Sequence, residues 1–171
     1  MITAFVEKNS VVGEIIEIKD KTELNHMKNS FRLQVGDSLR IVDGEYEYFT
    51  EIIELSKNEM ICKIIEKKED SFSTKVEIHA GIGLLKNDKM ELVIQKLVEV
   101  GVSKIIPVQM QRTIVKINEK KEKWDTIAKE ALKQCQAVKL TEITEPKALK
   151  KIDYSEYDLV LVPYENEVEV K

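Results

Sequence analysis

The residues best suited to chemistry in this 171-residue chain are basic side chains that follow predicted strands. Lys86 and Lys89 flank a predicted helix start, just after a strand predicted at Val76–Gly83. Arg112 follows a second strand, predicted at Lys104–Met110. The carboxyl ends of strands are where α/β sheets bind ligands. A lysine near a helix N-terminus is better explained by an anionic partner such as phosphate, and a guanidinium grips phosphate or carboxylate with two hydrogen bonds. Solvated surface lysines and an exposed loop arginine are the alternatives.

Other kinds of catalytic site are not indicated by the sequence. His26 and His79 have no predicted partner, and no Ser-His-Asp, Cys-His or zinc-ligand arrangement can be assembled. Cys62 and Cys135 are far apart in the sequence, and we expect both to be packed thiols. We therefore expect neither hydrolase chemistry nor a bound metal.

The charge balance restricts how the chain can bind nucleic acid. Lys and Arg total 27 and Asp and Glu total 31, for a net charge of −4, so any RNA contact must rest on a local patch. The only arginines are Arg32, Arg40 and Arg112. In so lysine-rich a chain, an arginine indicates a position that requires a planar side chain able to donate two parallel hydrogen bonds. The sequence has neither a secretory signal nor an apolar run long enough for a bilayer, so we expect a cytoplasmic protein without membrane contact.

The N-terminal part consists of short predicted strands interrupted by one helix. The helix is predicted at Thr22–Leu33 with Thr22 as its N-cap, and Asp43-Gly44 indicates a tight hairpin turn. So many strands in so short a stretch predict a small closed or nearly closed β-barrel. The predicted strands are Ile2–Val6, Val11–Ile18, Ser38–Val42, Glu45–Leu55 and Glu59–Glu66.

A polar linker at Glu66–Lys75 separates this part from a region in which strands and helices alternate. The alternation predicts βαβ units and a parallel sheet. Asp88 and Glu91 have the spacing of a capping box at the first helix start. Beyond the two strands named above, the predicted elements are helices at Lys89–Val100 and Lys120–Ala137, a short strand at Thr141–Ile143 and a buried strand at Asp158–Val162.

The glycines are unevenly distributed, because all six lie in the first 101 residues. Loops that let the backbone approach a cofactor are often glycine-rich and follow the strands of an α/β sheet. We therefore expect no cofactor-binding residue in this chain. Either the domain binds no cofactor, or the binding half lies beyond Lys171.

The residues around the first α/β helix resemble a family signature. They resemble the pattern KGDKME…QK…ELGV…I.P of the RsmE family, the methyltransferases that modify N3 of a uridine in 16S ribosomal RNA. Arg112 matches an arginine that this family has after its second strand. The signature residues are Lys86–Glu91, Gln95-Lys96, Glu99–Val102 and Ile106-Pro107. Further matches follow the order of the whole chain: His26, Phe31-Arg32-Leu33, Gly36-Asp37, Asp43-Gly44, Trp124, Ile127, Glu130-Ala131 and Gln134-Cys135.

The resemblance implies a β plus α/β architecture. A PUA-like β-barrel at residues 1–70 would be followed, at residues 75–171, by the N-terminal part of a parallel-sheet α/β methyltransferase domain of the SPOUT class. Such enzymes bind S-adenosylmethionine in a C-terminal trefoil knot and work as homodimers. The glycine-rich loop and final segment of that knot have no match here, so we expect the chain by itself to be inactive. At Gln136-Ala137-Val138 the chain lacks an arginine that many relatives have.

The resemblance also implies roles for individual residues. The partner would be 16S ribosomal RNA or the small ribosomal subunit, with Arg112 as the catalytic residue. The implied RNA contacts are Lys28, Arg32 and Arg40 in the barrel, and Lys86 and Lys89 in the α/β part. The alternative is a non-catalytic RNA-binding or ribosome-assembly module that uses the barrel alone.

Overall fold

The computed structural model describes residues 1–70, 73–111 and 115–163. Within these ranges the chain forms a mainly antiparallel sheet in its N-terminal part and a parallel sheet in its C-terminal part. The β plus α/β class expected from the sequence is therefore confirmed. Among the described helices, none is long and apolar enough to cross a membrane.

The N-terminal part is a six-stranded curled sheet, a half-barrel. Its strands are β1 (Thr3–Phe5), β2 (Val11–Val12), β3 (Ile15–Ile18), β4 (Ser38–Val42), β5 (Tyr46–Leu55) and β6 (Met60–Glu69). They lie in the order β1-β4-β5-β6-β3-β2, and each adjacent pair is antiparallel except β1 with β4. Since β1 and β2 are the two outer strands, the described strands do not close into a complete barrel.

The turn between β4 and β5 confirms the predicted hairpin. The Asp43 carboxylate accepts hydrogen bonds from the backbone N–H groups of Glu45 and Tyr46 at 2.9 and 2.8 Å. It also accepts one from the Tyr48 hydroxyl at 2.8 Å. Gly44 has φ +92°, a left-handed conformation that glycine adopts without steric cost.

The predicted helix at Thr22–Leu33 is shorter and less regular in the structure. It begins as α1 (Lys21–Asn25), and the Asp20 carboxylate caps it by accepting a hydrogen bond from a first-turn N–H at 2.8 Å. Thr22 is therefore not the N-cap. The chain continues as a π-helical turn at His26–Ser30. Leu24 and Met27, two of the apolar residues at helical spacing, face the core, whereas the third, Phe31, is 44% exposed. The sequence therefore located the helix but not its geometry.

The predicted linker begins later than the sequence indicates. β6 continues to Glu69, which lies opposite Tyr46 of β5. Lys67 of the same strand places its ammonium 3.4 Å from the centre of the Tyr46 ring, an interaction that favours the extended pairing. The first residues of the predicted linker therefore belong to the sheet, and the proposed boundary at residues 70–75 stays a prediction.

The C-terminal part is a βαβ arrangement around one central strand. Its elements are β7 (His79–Gly83), α2 (Asn87–Glu99), β8 (Lys104–Gln109), α3 (Glu122–Cys135), β9 (Glu142–Ile143) and β10 (Lys147–Ala148). β8 pairs in parallel with β7 on one side, and on the other side with β9 near its start and β10 near its end. The apolar faces of α2 and α3 pack in one buried cluster with this sheet, as their sequence periodicity predicts.

Two expectations for this part are wrong. Lys86 occupies the N-cap of α2 and makes no side-chain capping bond there, so Asp88 and Glu91 do not form the predicted capping box. Glu91 instead makes an ion pair with Lys123 of α3 at 2.7 Å. The segment Asp158–Val162 is not a strand, and its four apolar residues are 44–82% exposed, because it pairs with no described strand.

The half-barrel and the α/β part share a buried contact between β1, β4 and α3, which we call the junction. Strand β4 is buried on both faces: Leu39 and Ile41 point into the half-barrel core. Val42, fully buried, packs in the core cluster of the α/β part, and Phe5 of β1 packs against the same cluster. Because successive side chains of a strand point to opposite faces, β4 contributes residues to both cores.

Candidate nucleic-acid interface

Three strands of the parallel sheet end close together. Gly83 of β7 and Lys147 of β10 both lie opposite Val108 of β8. Because neighbouring strands are about 4.8 Å apart, the backbones at Gly83 and Lys147 are about 10 Å apart, one on each side of β8. The carboxyl edge is defined as residues 84–89 after β7, residues 109–111 at the end of β8, and residues 145–153, which contain β10 and the residues on both sides of it.

Lys86 and Lys89 lie at the carboxyl edge, as their position after β7 predicts. Both side chains are exposed, Lys86 at the N-cap of α2 and Lys89 in its first turn. Neither makes an ion pair with any residue in the part of the chain that the structure describes. Their ammonium groups are therefore available to an anion, beside backbone N–H groups that also favour negative charge.

The predicted catalytic residue, Arg112, lies outside the described residues. The chain leads to it through Gln111, which is exposed at the carboxyl edge. Its role at this edge stays a prediction.

Two of the three predicted RNA contacts in the half-barrel, Arg32 and Lys28, lie in the π-helical turn or just after it. Arg32 is exposed and has φ +54°, a left-handed conformation that costs a residue with a Cβ roughly 1–2 kcal/mol. Such backbone strain is concentrated at functional positions. Beside it, Phe31 is 44% exposed and meets the His26 ring edge-on at 4.8 Å. Lys28 is half-buried, and its ammonium donates a hydrogen bond to the Ser56 carbonyl, which fastens the π-helical turn to the β5–β6 turn.

The third predicted RNA contact, Arg40, lies in the junction and not on the surface. The residue is 4% exposed. Its Nε donates to the Glu47 carboxylate at 2.8 Å, and its Nη2 donates to the Gln136 carbonyl at 2.9 Å. Gln136 is the left-handed C-cap of α3, so the guanidinium meets the negative end of that helix. Arg40 therefore connects the two parts of the chain, because its position in β4 faces the α/β part.

An ion pair beside the junction also connects the two parts of the chain. Lys133 of α3 lies 2.9 Å from the Glu23 carboxylate of α1, and their side chains are 10% and 17% exposed. Lys133 also pairs with Glu130 at 2.7 Å. Burial alone lowers the pKa of Lys133, but hydrogen bonds to Glu130 and Glu23 outweigh that effect and raise the pKa. The charged form of Lys133 is therefore stabilised in the folded chain.

Two cavities among the described residues lie away from the carboxyl edge. The larger, of about 580 Å³, lies beside the junction and the amino ends of β8 and β9, with Ser103 and Glu142 in its wall. The smaller, of about 300 Å³, separates α3 from α1 and β1, with Asp20 and Lys129 in its wall. Neither is lined by the carboxyl edge.

The remaining candidates for chemistry are structural. Within residues 1–70, 73–111 and 115–163, no three His, Cys, Asp or Glu side chains are placed to hold a metal ion. His79 is packed, with its Nδ1 3.0 Å from the Tyr157 hydroxyl. Cys62 is buried, which raises the pKa of its thiol to about 11. Cys135 is exposed, which corrects the expectation that both thiols are packed.

Neither β10 nor the basic segment that begins with it was predicted from the sequence. Lys147, Lys150 and Lys151 are exposed at the carboxyl edge. A two-residue strand is too short for the alternating pattern that reveals strands, and the apolar run at Asp158–Val162 was the stronger strand signal. The signal that was available is the density of charge, three lysines within five residues.

Two family models match this chain. A model described as an RNA methyltransferase domain matches residues 72–171, and one described as an RNA methyltransferase PUA domain matches residues 18–65. The Bacillus subtilis (strain 168) ribosomal RNA small subunit methyltransferase E is 29% identical over 151 residues, which are 84% of this chain and 59% of that protein. A Borreliella burgdorferi ribosomal RNA small subunit methyltransferase E 2 is 32% identical over 136 residues, 75% of this chain and 55% of that protein. The chain thus spans somewhat over half the length of these relatives.

Solved structures show the same arrangement of elements. A Legionella pneumophila protein in complex with its bound cofactor S-adenosylmethionine is 26% identical, with a TM-score of 0.76 over 88% of this chain and 64% of that chain. A ribosomal RNA small subunit methyltransferase E from Neisseria gonorrhoeae, bound to S-adenosylmethionine, has a TM-score of 0.78 at 20% identity, covering 90% of this chain and 67% of that chain. The expected PUA-like sheet followed by a parallel α/β domain is therefore confirmed.

Proposed function

Because this chain belongs to the RNA methyltransferase domain family, we propose that it takes part in the methylation of N3 of a uridine in 16S ribosomal RNA. The observation that carries the proposal is the match of that family model to residues 72–171, which include the whole parallel sheet. The named relatives are methyltransferases of small-subunit ribosomal RNA. The choice of uridine N3 rests on the resemblance of Lys86–Glu91 and the residues after it to the RsmE signature.

The carboxyl edge supplies positive charge for this reaction. N3 of uridine is weakly acidic, so the base must lose a proton and carry negative charge as it accepts a methyl group. Preorganised cations beside the base stabilise that charge. Arg112 is the proposed catalytic residue for this purpose, and Lys86 and Lys89 hold the neighbouring phosphates.

The half-barrel holds the RNA at a distance from the reacting base. Arg32 and Lys28 are the proposed contacts. Lys28 lies in the π-helical turn, and Arg32 lies just after it, exposed in a strained conformation. The exposed Phe31 ring beside Arg32 offers a surface on which a base can stack. Arg40 is left out of the proposed RNA contacts because its guanidinium is buried between Glu47 and Gln136.

For the complete protein, we propose S-adenosylmethionine as methyl donor, a homodimer as the working form and the cytoplasm as the location. The Legionella protein supports the choice of donor, because it is 26% identical and binds S-adenosylmethionine. No step of the reaction is assigned here to a residue that touches the donor.

Deleting the gene that encodes this chain tests the proposal. Nucleoside mass spectrometry of 16S ribosomal RNA from the deletion strain should show the loss of a 3-methyluridine. A plasmid copy should restore it, an Arg112→Ala copy should not, and a Lys139→Ala copy serves as the control at the opposite end of the sheet. Unchanged 3-methyluridine would contradict the proposal. Impaired small-subunit assembly with the methylation intact would favour the non-catalytic assembly module.

A further inference from the structure

The carboxyl edge has a second basic segment, on the other side of β8 from Lys86 and Lys89. We propose that Lys147, Lys150 and Lys151 bind phosphate groups of the RNA strand that crosses this edge. The inference rests on the proposed function, because that function makes RNA the substrate. The proposed RNA-binding surface then extends from the end of β7, across β8, to β10.

The register of the sheet places the two basic segments in equivalent positions. Gly83 and Lys147 lie opposite the same residue of β8. Lys86 is three residues beyond Gly83, and Lys150 is three residues beyond Lys147. With backbones about 10 Å apart at the strand ends, side chains from both segments can contact one stretch of RNA. Arg112 follows the central strand that lies between them.

The charge of this edge contrasts with that of the chain. Segments 84–89 and 145–153 contain five lysines and three carboxylates, a formal charge of +2, whereas the whole chain carries −4. The two carboxylates nearest the second segment already accept other hydrogen bonds. Glu145 accepts one from the Lys120 N–H at 2.6 Å, and Asp153 accepts one from the Ser155 N–H at 2.9 Å.

The lysines of the second segment are free of ion pairs. Lys147, Lys150 and Lys151 make none with residues 1–70, 73–111 or 115–163. At the opposite end of β8, by contrast, Lys104 pairs with Glu142 at 3.1 Å. The charge of Lys104 is therefore neutralised within the chain, whereas that of Lys147, Lys150 and Lys151 is left available to a ligand.

The segment is also held in a defined shape. Leu149–Lys151 forms a 3-10 turn, closed by a hydrogen bond from the Ile152 N–H to the Leu149 carbonyl at 3.2 Å. The Tyr154 hydroxyl donates to the same carbonyl at 3.2 Å. The three exposed lysines therefore extend from an ordered backbone. Three exposed lysines within five residues suit the successive phosphates of a nucleic-acid strand.

The test compares two double variants that each remove two positive charges. Lys150→Ala/Lys151→Ala removes charge from the carboxyl edge. Lys75→Ala/Lys139→Ala removes it near the amino ends of β7 and β9, where both lysines are exposed. A Lys150→Arg/Lys151→Arg variant keeps the charge. The affinity of the 171-residue chain is measured for a fluorescein-labelled oligouridylate of about 20 nucleotides, longer than typical single-stranded sites of about 4–16 nucleotides, at several salt concentrations.

The edge variant should bind about tenfold more weakly than the parent, and its salt slope should fall by about 1.4, the value for two lost single-strand phosphate contacts. The arginine variant should bind like the parent, and the amino-end variant should stay within about twofold of it. Equal losses in both double variants would reduce the effect to overall charge and overturn the proposal, as would parental affinity in the edge variant. These outcomes do not depend on methylation, so a failure of the proposed function is seen separately in the deletion strain.

Discussion

The junction and the carboxyl edge both contain basic side chains, in opposite surroundings. At the junction, Arg40 is buried and paired with Glu47. Lys133 beside it is half-buried and paired with Glu23. At the carboxyl edge, the lysines are exposed and make no ion pair with the described residues. A buried charge is tolerated only with its partner, whereas an exposed unpaired charge costs little and is ready for a ligand. The role of a basic residue in this protein therefore follows from its place in the fold, not from its type.

The largest loss of stability is expected when Arg40 of the junction is replaced. Arg40→Ala leaves the Glu47 carboxylate buried without its partner, so the free energy of unfolding in urea should fall by about 3–5 kcal/mol. The matched variant Arg40→Met/Glu47→Met removes both charges and should recover most of that loss. It should also bind oligouridylate like the parent. A single variant within about 1 kcal/mol of the parent would contradict the structural role of Arg40.

A smaller effect is expected for the ion pair beside the junction. A double-mutant cycle with Glu23→Gln and Lys133→Met should give a coupling of about 1–2 kcal/mol. The exposed pair Glu91–Lys123, with side chains 25% and 65% exposed, is the control and should give about 0.5 kcal/mol or less.

The same cycle has a pH signature. Because the folded chain raises the pKa of Lys133, the coupling should be fully present below the unfolded pKa of about 10.4 and should disappear as the pH rises through the higher folded value. Equal coupling in the half-buried and exposed pairs would remove the distinction between the junction and the surface.

At Arg32, stability and binding should change in opposite directions. Arg32→Gly relieves the left-handed conformation, so the free energy of unfolding should rise by about 0.5–1 kcal/mol, while the RNA affinity falls with the lost guanidinium. Arg32→Ala should lose affinity equally without the gain in stability. Parental RNA affinity in both variants would show that the strain at Arg32 serves no RNA contact.

The smallest effect on stability is expected at the carboxyl edge. Lys150→Ala/Lys151→Ala should change the free energy of unfolding by no more than about 0.5 kcal/mol, because neither side chain is buried or paired with a described residue. The thermal stability of this variant is compared with that of Lys133→Met, which leaves the Glu23 carboxylate without its partner. A large loss in the edge variant would mean that these lysines support the fold.

Local patterns made part of this structure predictable. The Asp43-Gly44 hairpin and the helix that follows Lys86 are determined by turn chemistry and by apolar periodicity, which operate within a few residues. The position of Lys86 and Lys89 at the carboxyl edge followed from the βαβ order alone. These features can be predicted without knowing which residues far apart in the sequence are in contact.

The features that the sequence did not reveal depend on distant partners. From the sequence alone Arg40 is expected on the surface, because its partner Gln136 lies nearly a hundred positions later in the chain. The two residues of β10 become a strand only because β8 lies beside them. The run at Asp158–Val162 has the composition of a buried strand, but it pairs with no strand among the described residues. Tertiary context decides such segments and overrides their local propensity.

Photo-crosslinking tests the contrast between the two regions most directly. The chain is irradiated with an oligouridylate that contains 4-thiouridine, and the crosslinked peptides are identified by mass spectrometry. We expect crosslinks to peptides that contain Lys86–Lys89 and Lys147–Lys151, and none to the β4 peptide that contains Arg40. Crosslinks to the Arg40 peptide without any at the carboxyl edge would contradict this expectation.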